Sequence, residues 1–323
     1  MRTISLEEHF VTPAFMKGPG REIENKAKAI GGAAAKLVEA LSDMGPNRIA
    51  HMDAAGIDIQ VLSLTSPGVE QLDADEARSI ARDANDRLFS AVSNHPSRFA
   101  GFAALPTPDP KAAEKELARC VSEYGFKGAL INGHTQGLYL DDPSFWSIFE
   151  CAQALDVPIY VHPTPPPQAV INASYGGFSE MVTFALARAG WGWHIETATH
   201  VLRIILGGVF DRFPRLQLIV GHMGEALPVM LPRLDVMSTA MTRLERPISS
   251  YLRENVHYTF SGFNFTSAFL ALMLEVGTER IMFSADYPYQ SMAAARSFLE
   301  QLPISPSDRD RIAHGNAERL FKL

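Results

Sequence analysis

The segment Ile4-Ser5-Leu6-Glu7-Glu8-His9-Phe10 lies almost at the start of the chain and predicts a short β-strand that ends in polar residues. Successive strand side chains point to opposite faces, so Glu7 and His9 should share one face and Glu8 should point to the other. A carboxylate and an imidazole on one face supply half of a metal site. Taken alone, the segment is better explained as an ordinary polar strand end, and the rest of the chain has to decide between the two interpretations.

Outward from this strand, apolar segments alternate with helical patterns along the whole chain. Strands are expected at 57–64, 99–105, 126–132, 158–162, 216–222, 256–261 and 280–286. Helical patterns cover 34–44, 73–93, 110–124, 143–155 (capped by Asp141 or Asp142), 178–207, 225–242, 267–276, 292–301 and 308–320, whereas 11–33 predicts a loop that could cover a site. Strands this apolar are typical of parallel sheets that are buried on both faces.

Eight such strands predict an α/β fold, a single (β/α)8 TIM barrel domain over residues 1–323, with an N-terminal loop or helix insertion and C-terminal helices. A doubly wound open sheet is the alternative. It would usually carry a glycine-rich phosphate turn after an early strand, and the sequence has none.

Composition narrows the classes of partner. The chain has 323 residues, of which 46% are hydrophobic and 20% charged, and its formal net charge is -7. No basic surplus favours nucleic acid or an anionic membrane, and no apolar segment is long enough to span a bilayer. Cys120 and Cys151 lie in helical patterns and are expected to be reduced thiols, which indicates a cytoplasmic protein.

Polar residues follow several of the predicted strands at their carboxyl ends, where barrel enzymes place their catalytic groups. His162, His222, Asp286 and Asn132 each come directly after apolar residues. One such residue has an ordinary structural explanation, but their convergence with the first strand favours a site. The predicted ligands are two carboxylates and two imidazoles, a set that suits one divalent ion, zinc or manganese with magnesium possible: Glu7, His9, His162 and Asp286.

Further residues are weaker candidates. Glu225 lies three residues after His222, in the expected first turn of a helix, where it can orient the imidazole or simply complement the helix N-terminus. Arg233 lies two helical turns further on. It either contacts a substrate anion or is a surface or interface residue. His194 and His200, which follow Trp191 and Trp193, are interpreted as packing or subunit contacts, and His51, His95, His257 and His314 as structural.

Several ordered motifs are similar to the metal-dependent aromatic acid decarboxylases of the amidohydrolase superfamily, with the nearest likeness to γ-resorcylate and 2,3-dihydroxybenzoate decarboxylases. The matching segments run over nearly the whole chain: Leu6-Glu7-Glu8-His9-Phe10, Tyr160-Val161-His162-Pro163, Gly221-His222-Met223-Gly224-Glu225, Phe283-Ser284-Ala285-Asp286 and His314-Gly315-Asn316-Ala317-Glu318-Arg319-Leu320. Asp286, His222 and Glu225 are the expected catalytic residues, and Arg233, Asn132 and Phe10 are the expected substrate contacts. The resemblance implies the same four metal ligands, a polar dyad of His222 and Glu225 beside the metal, and an arginine at the position of Arg233. It also implies a homotetramer or homodimer and no organic cofactor.

Two departures leave the ring substituents of the substrate open. Leu234-Asp235-Val236-Met237 replaces the further basic pair that many relatives have, and 11–33 has no clear match to their substrate loop. A binuclear hydrolase is disfavoured, since the chain opens with Glu-x-His rather than His-x-His and its fourth strand ends in Asn132, not lysine.

The expected activity is therefore carboxy-lyase chemistry on a small aromatic acid with an ortho-hydroxyl, such as 2,6- or 2,3-dihydroxybenzoate. Protonation of the carboxylate-bearing ring carbon would precede the loss of CO2. The alternative within the superfamily is a mononuclear hydrolase or hydratase acting on a lactone, an amide or an unsaturated acid. A barrel that only binds ligands is the third hypothesis, and the convergence of ligand-type residues disfavours it.

Overall fold

The barrel is built from nine strand segments along the chain. The structure is a computed structural model that describes the backbone of residues 1–323 and the side chains of residues 1–25 and 31–323. The strands are β1 Ile4–Phe10, β2 Ile59–Leu64, β3 Phe99–Gly101, β4 Ala103–Ala104, β5 Ala129–Asn132, β6 Ile159–His162, β7 Leu218–Val220, β8 Val256–Thr259 and β9 Ile281–Met282.

The helices follow the strands in alternation. They are α1 Pro13–Lys17, α2 Arg21–Ile30, α3 Ala33–Ser42, α4 Pro46–Ala55, α5 Ala74–Asn94, α6 Pro110–Ser122, α7 Trp146–Leu155, α8 Gln168–Val170, α9 Glu180–Ala187, α10 Gly192–Leu206, α11 Val209–Arg212, α12 Leu227–Leu234, α13 Thr239–Thr242, α14 Ile248–Glu254, α15 Thr266–Val276, α16 Met292–Gln301, α17 Pro306–Asp310 and α18 Asn316–Phe321. Short 3-10 turns occupy Pro143–Phe145, His222–Gly224 and Thr278–Arg280, and π-helical turns occupy Ile171–Tyr175 and Arg311–Gly315.

All strand pairs are parallel, and together they form a ring. β1 pairs with β2 and β2 with β3, while β4 to β9 pair in sequence order. Phe102 separates β3 from β4, and its N–H donates to Leu62 O at 2.9 Å, so the two segments act as one interrupted strand. Leu6 N donates to Phe283 O at 3.2 Å and Leu6 bridges to Ser284, which joins the last strand to the first. The predicted (β/α)8 barrel is confirmed.

The apolar residues divide into an inner and an outer cluster. The inner cluster fills the barrel and includes Leu6, Tyr160 and Ile219, whereas the larger outer cluster packs the strands against the helices. Burial on both faces explains why the strands are almost wholly apolar in sequence. Among the residues whose side chains the structure describes, no helix is long and apolar enough to cross a bilayer.

β1 contains a β-bulge that the simple alternation did not predict. Ser5 of β1 pairs with Gln60 of β2, and Glu8 pairs with Leu62. Two residues of β1, Leu6 and Glu7, therefore lie opposite one residue of β2, Val61. Glu7 has φ 61°, in the left-handed region. Bulges re-aim side chains in this way. Leu6 belongs to the inner cluster, and Glu7 also faces the barrel interior, where its carboxylate accepts from the Tyr160 hydroxyl.

Three local expectations are wrong. Residues 11–33 do not form a loop but carry α1, α2 and the start of α3, with Thr12 accepting from Phe15 N at the first N-cap. The helix expected at 225–242 begins only at Leu227, because Glu225 and Ala226 are left-handed (φ 54° and 64°), so Glu225 lies before the helix rather than in its first turn. The third strand is interrupted at Phe102. Of the two possible caps near 143, Asp142 accepts from Ser144 N at 2.9 Å.

Candidate active site

The carboxyl ends of the strands bring together the groups that the sequence singled out. Glu7, His9 and His162 each offer a ligand atom within 4.8 Å of the others, and all three are buried. His162 Nε2 lies 3.2 Å from Glu7 Oε1, and His9 Nε2 lies 3.3 Å from Asp286 Oδ1. Asn132 pairs with His162 in register across β5 and β6. The four predicted ligands therefore share one end of the barrel.

The atoms at the centre of this cluster are suited to a cation. Glu7 Oε1 and His9 Nε2 are buried and have no hydrogen-bond partner among the described residues. His162 Nδ1 lies 2.9 Å from Pro163 O, which can only accept, so Nδ1 carries the proton and Nε2 presents its lone pair to the cluster. Burying polar atoms without partners is costly. A divalent cation ligated by these nitrogens and oxygens would satisfy them.

The second oxygen of Glu7 is fixed by hydroxyl groups. Glu7 Oε2 accepts from the hydroxyls of Tyr160 and Ser261, and Thr259 lies within 2.7 Å of the Tyr160 oxygen. Burial opposes ionisation of Glu7, but the positive charge of His222 outweighs it and holds the pKa of Glu7 well below its usual range. Glu7 is therefore an oriented carboxylate with one free oxygen that faces the cluster.

Glu8 belongs to a separate network on the other face of β1. Its carboxyl group accepts from Ser5 Oγ at 2.6 Å, from Gln60 Nε2 at 3.1 Å and from Ala285 N at 2.9 Å. Burial raises the pKa of Glu8 to about 8. The bond to Ala285 ties β1 to the segment that carries Asp286. As the strand alternation predicted, Glu8 points away from Glu7 and His9.

Asp286 occupies a strained position four residues after the end of β9. Its φ is 65°, which non-glycine residues adopt uncommonly and which is often found at functional sites. Burial, followed by the neighbouring charge of Glu7, raises the pKa of Asp286 well above its usual range. A carboxyl group in this environment readily holds a proton.

His222 is held by Glu225, and Glu225 is held by a second imidazole. His222 Nδ1 lies 2.7 Å from Glu225 Oε1, while His194 Nδ1 lies 2.5 Å from Glu225 Oε2. The Nε2 of His222 lies 3.7 Å from Glu7 Oε1, facing the cluster. Burial opposes protonation of His222, but the Glu225 and Glu7 carboxylates outweigh it and raise its pKa to about 10. The left-handed backbone at His222, Met223 and Glu225 makes this close pairing possible.

Two predicted substrate contacts are not brought to the cluster. Phe10 is 1% exposed and packs in the outer cluster, between the barrel and the helices. Arg233 is exposed near the end of α12. Asn132 does lie at the site: its backbone N–H donates to Glu70 at 2.7 Å, and its side-chain Oδ1 is buried without a partner among the described residues.

Several site residues could not be singled out from the sequence. His194 was interpreted as a packing residue because nothing in its segment shows that α10 carries it to Glu225. Tyr160 lies on β6 and Ser261 two residues after β8, both within strands expected from the sequence, where their hydroxyls look like ordinary strand polarity. Tyr289, whose ring centroid lies 5.6 Å from that of His9, and Phe263, 5.5 Å from His222, flank the imidazoles with aromatic surface. The only available signal for Phe263 and Tyr289 was that they lie in the segments that follow β8 and β9.

Comparisons with known proteins agree with this geometry. A profile described as Amidohydrolase matches residues 36–323. The chain belongs to the amidohydrolase family. Within this family, the chain is 39% identical over 332 residues to a gamma-resorcylate decarboxylase of Polaromonas sp., which covers 99% of this chain and 98% of the relative.

Two solved amidohydrolase structures are similar over the full length of the chain. One is a dihydroxybenzoic acid decarboxylase from Polaromonas sp. with bound manganese and the inhibitor 2-nitroresorcinol, 38% identical, with a TM-score of 0.91 and coverage of 100% of this chain and 97% of the other. The second is a 5-carboxyvanillate decarboxylase from Novosphingobium aromaticivorans with manganese and 4-hydroxy-3-methoxy-5-nitrobenzoic acid. It is 38% identical, with a TM-score of 0.92 and coverage of 100% and 96%.

Proposed function

We propose that this protein is a metal-dependent, non-oxidative decarboxylase of a hydroxybenzoate that carries its hydroxyl ortho to the carboxylate. The observation that carries the proposal is the pair of buried atoms without partners, Glu7 Oε1 and His9 Nε2, which face His162 and Asp286 at the carboxyl end of the barrel. Full-length relatives with decarboxylase activity support it.

Glu7, His9, His162 and Asp286 would hold one divalent ion, with manganese or zinc suited to two carboxylates and two imidazoles. When bound, such an ion favours ionisation of a phenolic oxygen. The two ligand carboxylates balance its charge, so an anionic substrate would meet a neutral site. The proposed proton transfer and loss of CO2 need no organic cofactor.

Asp286 is the proposed proton carrier. The carboxyl group of Asp286 takes the proton of the ortho-hydroxyl. It then delivers the proton to the ring carbon that bears the carboxylate, forming a C–H bond. The bond from that carbon to the carboxylate breaks next, CO2 leaves, and the electron pair returns to the ring. Protonation before bond cleavage avoids an unstabilised aryl anion.

His222 is proposed to orient the substrate over this proton path, with Glu225 and His194 as positioning residues. Each oxygen of Glu225 faces one imidazole, so the carboxylate cannot rotate without losing a partner. His194 Nε2 also lies 3.1 Å from Ala189 O, which anchors the far side of its ring. Such supporting hydrogen bonds fix the orientation of catalytic imidazoles.

The substrate class follows from what the relatives' ligands share. Both aromatic compounds named with the solved structures have a nitro group next to a phenolic hydroxyl. A nitro group resembles a carboxylate in shape, so the shared element is an acid group beside a hydroxyl. The relatives differ in the remaining ring substituents at the same identity to this chain, so 2,6- and 2,3-dihydroxybenzoate and 5-carboxyvanillate are all candidates.

The test is CO2 release from a panel of ortho-hydroxybenzoates by the manganese-loaded protein, with para-hydroxybenzoate as the control lacking the ortho-hydroxyl. At least one ortho-hydroxy acid should be turned over. Asp286→Asn should abolish turnover, because the amide cannot carry the proton. Inactivity on every ortho-hydroxy acid, combined with hydrolysis of lactones or amides, would instead establish the hydrolase alternative.

We further propose that residues 1–323 form one domain, that the protein is a homodimer or homotetramer, and that it works in the cytoplasm. Large apolar side chains with more than three-fifths of their surface exposed support self-association: Met181, Val229, Val236, Met241 and Leu274. Cys120 and Cys151 are free, which suits a reducing compartment. Sedimentation analysis of the purified protein measures the subunit number directly.

A further inference from the structure

A second polar cavity lies at the opposite end of the barrel from the candidate active site. It has a volume of about 490 Å³ and is bounded by the residues that precede β6, β7 and β9, by the start of β8 and by α18. Its lining includes four cationic side chains, Arg215, Arg280, Arg319 and Lys322. Nothing in the proposed decarboxylation uses these residues.

Each of the two carboxylates that line the cavity pairs with a cation other than the three arginines. Asp156 pairs with Lys322, and Glu279 lies 3.1 Å from Arg311, which is not part of the lining. Arg280 donates to Gln217 Oε1 at 2.8 Å, and Arg319 donates to Glu279 O and Asn316 Oδ1, which are neutral acceptors. Among the residues that the structure describes, none of the three arginines has a carboxylate partner. The cavity is therefore left with uncompensated positive charge.

His257 adds an unused donor to this lining. Arg280 Nη1 lies 3.1 Å from His257 Nε2, and a guanidinium can only donate, so Nε2 must accept. The proton of the neutral ring is then on Nδ1, which is buried and has no partner among the described residues. Burial, together with the charges of Arg280 and Arg319, lowers the pKa of His257 to about 3, so the ring stays neutral.

The positive groups also oppose one another. Burial and then the charge of Arg319 lower the pKa of the Arg280 guanidinium. A half-buried guanidinium without a counter-ion is unfavourable, whereas an oxyanion beside it would be held by charge-assisted hydrogen bonds. Guanidinium groups match the geometry of phosphate oxygens with two parallel N–H donors.

We propose that this cavity binds a phosphate group, held by the guanidiniums of Arg215, Arg280 and Arg319. Inorganic phosphate is small enough for the cavity, and its negative charge would balance guanidinium groups that have no carboxylate partner. The site lies at the amino-terminal ends of the strands, so its occupant would leave the substrate site free.

The experiment is calorimetric titration of inorganic phosphate into the metal-loaded protein in chloride buffer at fixed ionic strength. Wild type should bind phosphate, and Arg280→Gln and Arg319→Gln should each raise the dissociation constant about tenfold, since each loses a hydrogen bond to a charged group. Arg87→Gln is the matched control: Arg87 is exposed on α5, pairs with Asp83 at 2.9 Å and should leave binding unchanged. Phosphate should not compete with the aromatic acid in CO2 release assays.

Arg215→Gln protects the test against misfolding, because Arg215 is exposed and its guanidinium has no hydrogen bond among the described residues. It too should weaken binding. No heat of phosphate binding by wild type would overturn the proposal, as would equal affinity in all the arginine variants. Competition between phosphate and the aromatic acid would overturn it by placing the anion at the substrate site.

Discussion

Replacing His194 by alanine should slow decarboxylation without removing the metal. His194 contacts Glu225 rather than any proposed ligand, and its Nδ1 lies 2.5 Å from Glu225 Oε2. A hydrogen bond to a charged group contributes about 1.5–3 kcal/mol. If all of it is lost from the transition state, kcat falls about 10- to 150-fold. KM should change little, because the hypothesis assigns His194 no contact with substrate.

The assay is steady-state CO2 release, with metal content measured on the same preparations. His194→Asn is the matched control: its amide can place an N–H near the position of Nδ1, and it should recover part of the lost rate. The double variant His194→Ala with Glu225→Gln should have a kcat only slightly lower than that of Glu225→Gln alone, because both changes break the same hydrogen bond between His194 and Glu225. A folded His194→Ala variant with kcat within twofold of wild type would refute the reasoning. So would a parallel loss of metal, since the effect would then not pass through Glu225.

Three further predictions concern the surroundings of the cluster. Glu7→Gln should lower the metal bound per chain after dialysis, whereas Glu8→Gln, on the other face of β1, should keep the wild-type amount; equal loss in both would contradict the assigned orientation. Tyr160→Phe removes a donor to Glu7 Oε2 and should weaken metal affinity about tenfold in chelator competition, and an unchanged affinity would exclude that role. Burial raises the pKa of Glu70 from 4.5 to about 7. As the pH rises, the unfolded chain therefore loses this proton before the folded protein does, and the free energy of unfolding should fall by about 3 kcal/mol between these pH values. Urea unfolding at pH 5 to 8 should show less of this fall in Glu70→Gln, and identical pH profiles would count against a raised pKa.

The barrel and the clustering of the four proposed ligand residues were predictable because their signals are local and repeat along the chain. Each strand is a short apolar segment, and His162 and Asp286 follow such segments directly. Parallel strands bring their carboxyl ends to one face, so residues far apart in sequence could be expected to meet. The family resemblance added roles to positions that the alternation had already placed.

The remaining features depend on backbone conformation or on contacts between distant elements. The left-handed conformation of Glu225 delays the start of α12, and Glu225 is not a residue type that signals such a turn. His194 reaches Glu225 only because of how α10 packs, and its neighbours Trp191 and Trp193 favoured an interface interpretation. Residues 11–33 contain prolines and glycines that break regular patterns. Their helices are short, and Phe15 and Met16 bury α1 against the barrel.

The bulge in β1 sets a rule for transferring this chemistry to other barrels. Leu6 and Glu7 are neighbours, yet both face inward, so the position of the carboxylate depends on the number of residues in the strand as well as on their identity. Deleting one residue between Ser5 and Glu8 would restore a regular pleat, and either the core leucine or the glutamate would then have no inward-facing position. A designer who copies Glu-x-His onto a regular strand would obtain the motif without the inward-facing leucine that packs beneath it in the inner cluster. The β-bulge at Leu6 and Glu7 must therefore be copied together with the residue types of the motif.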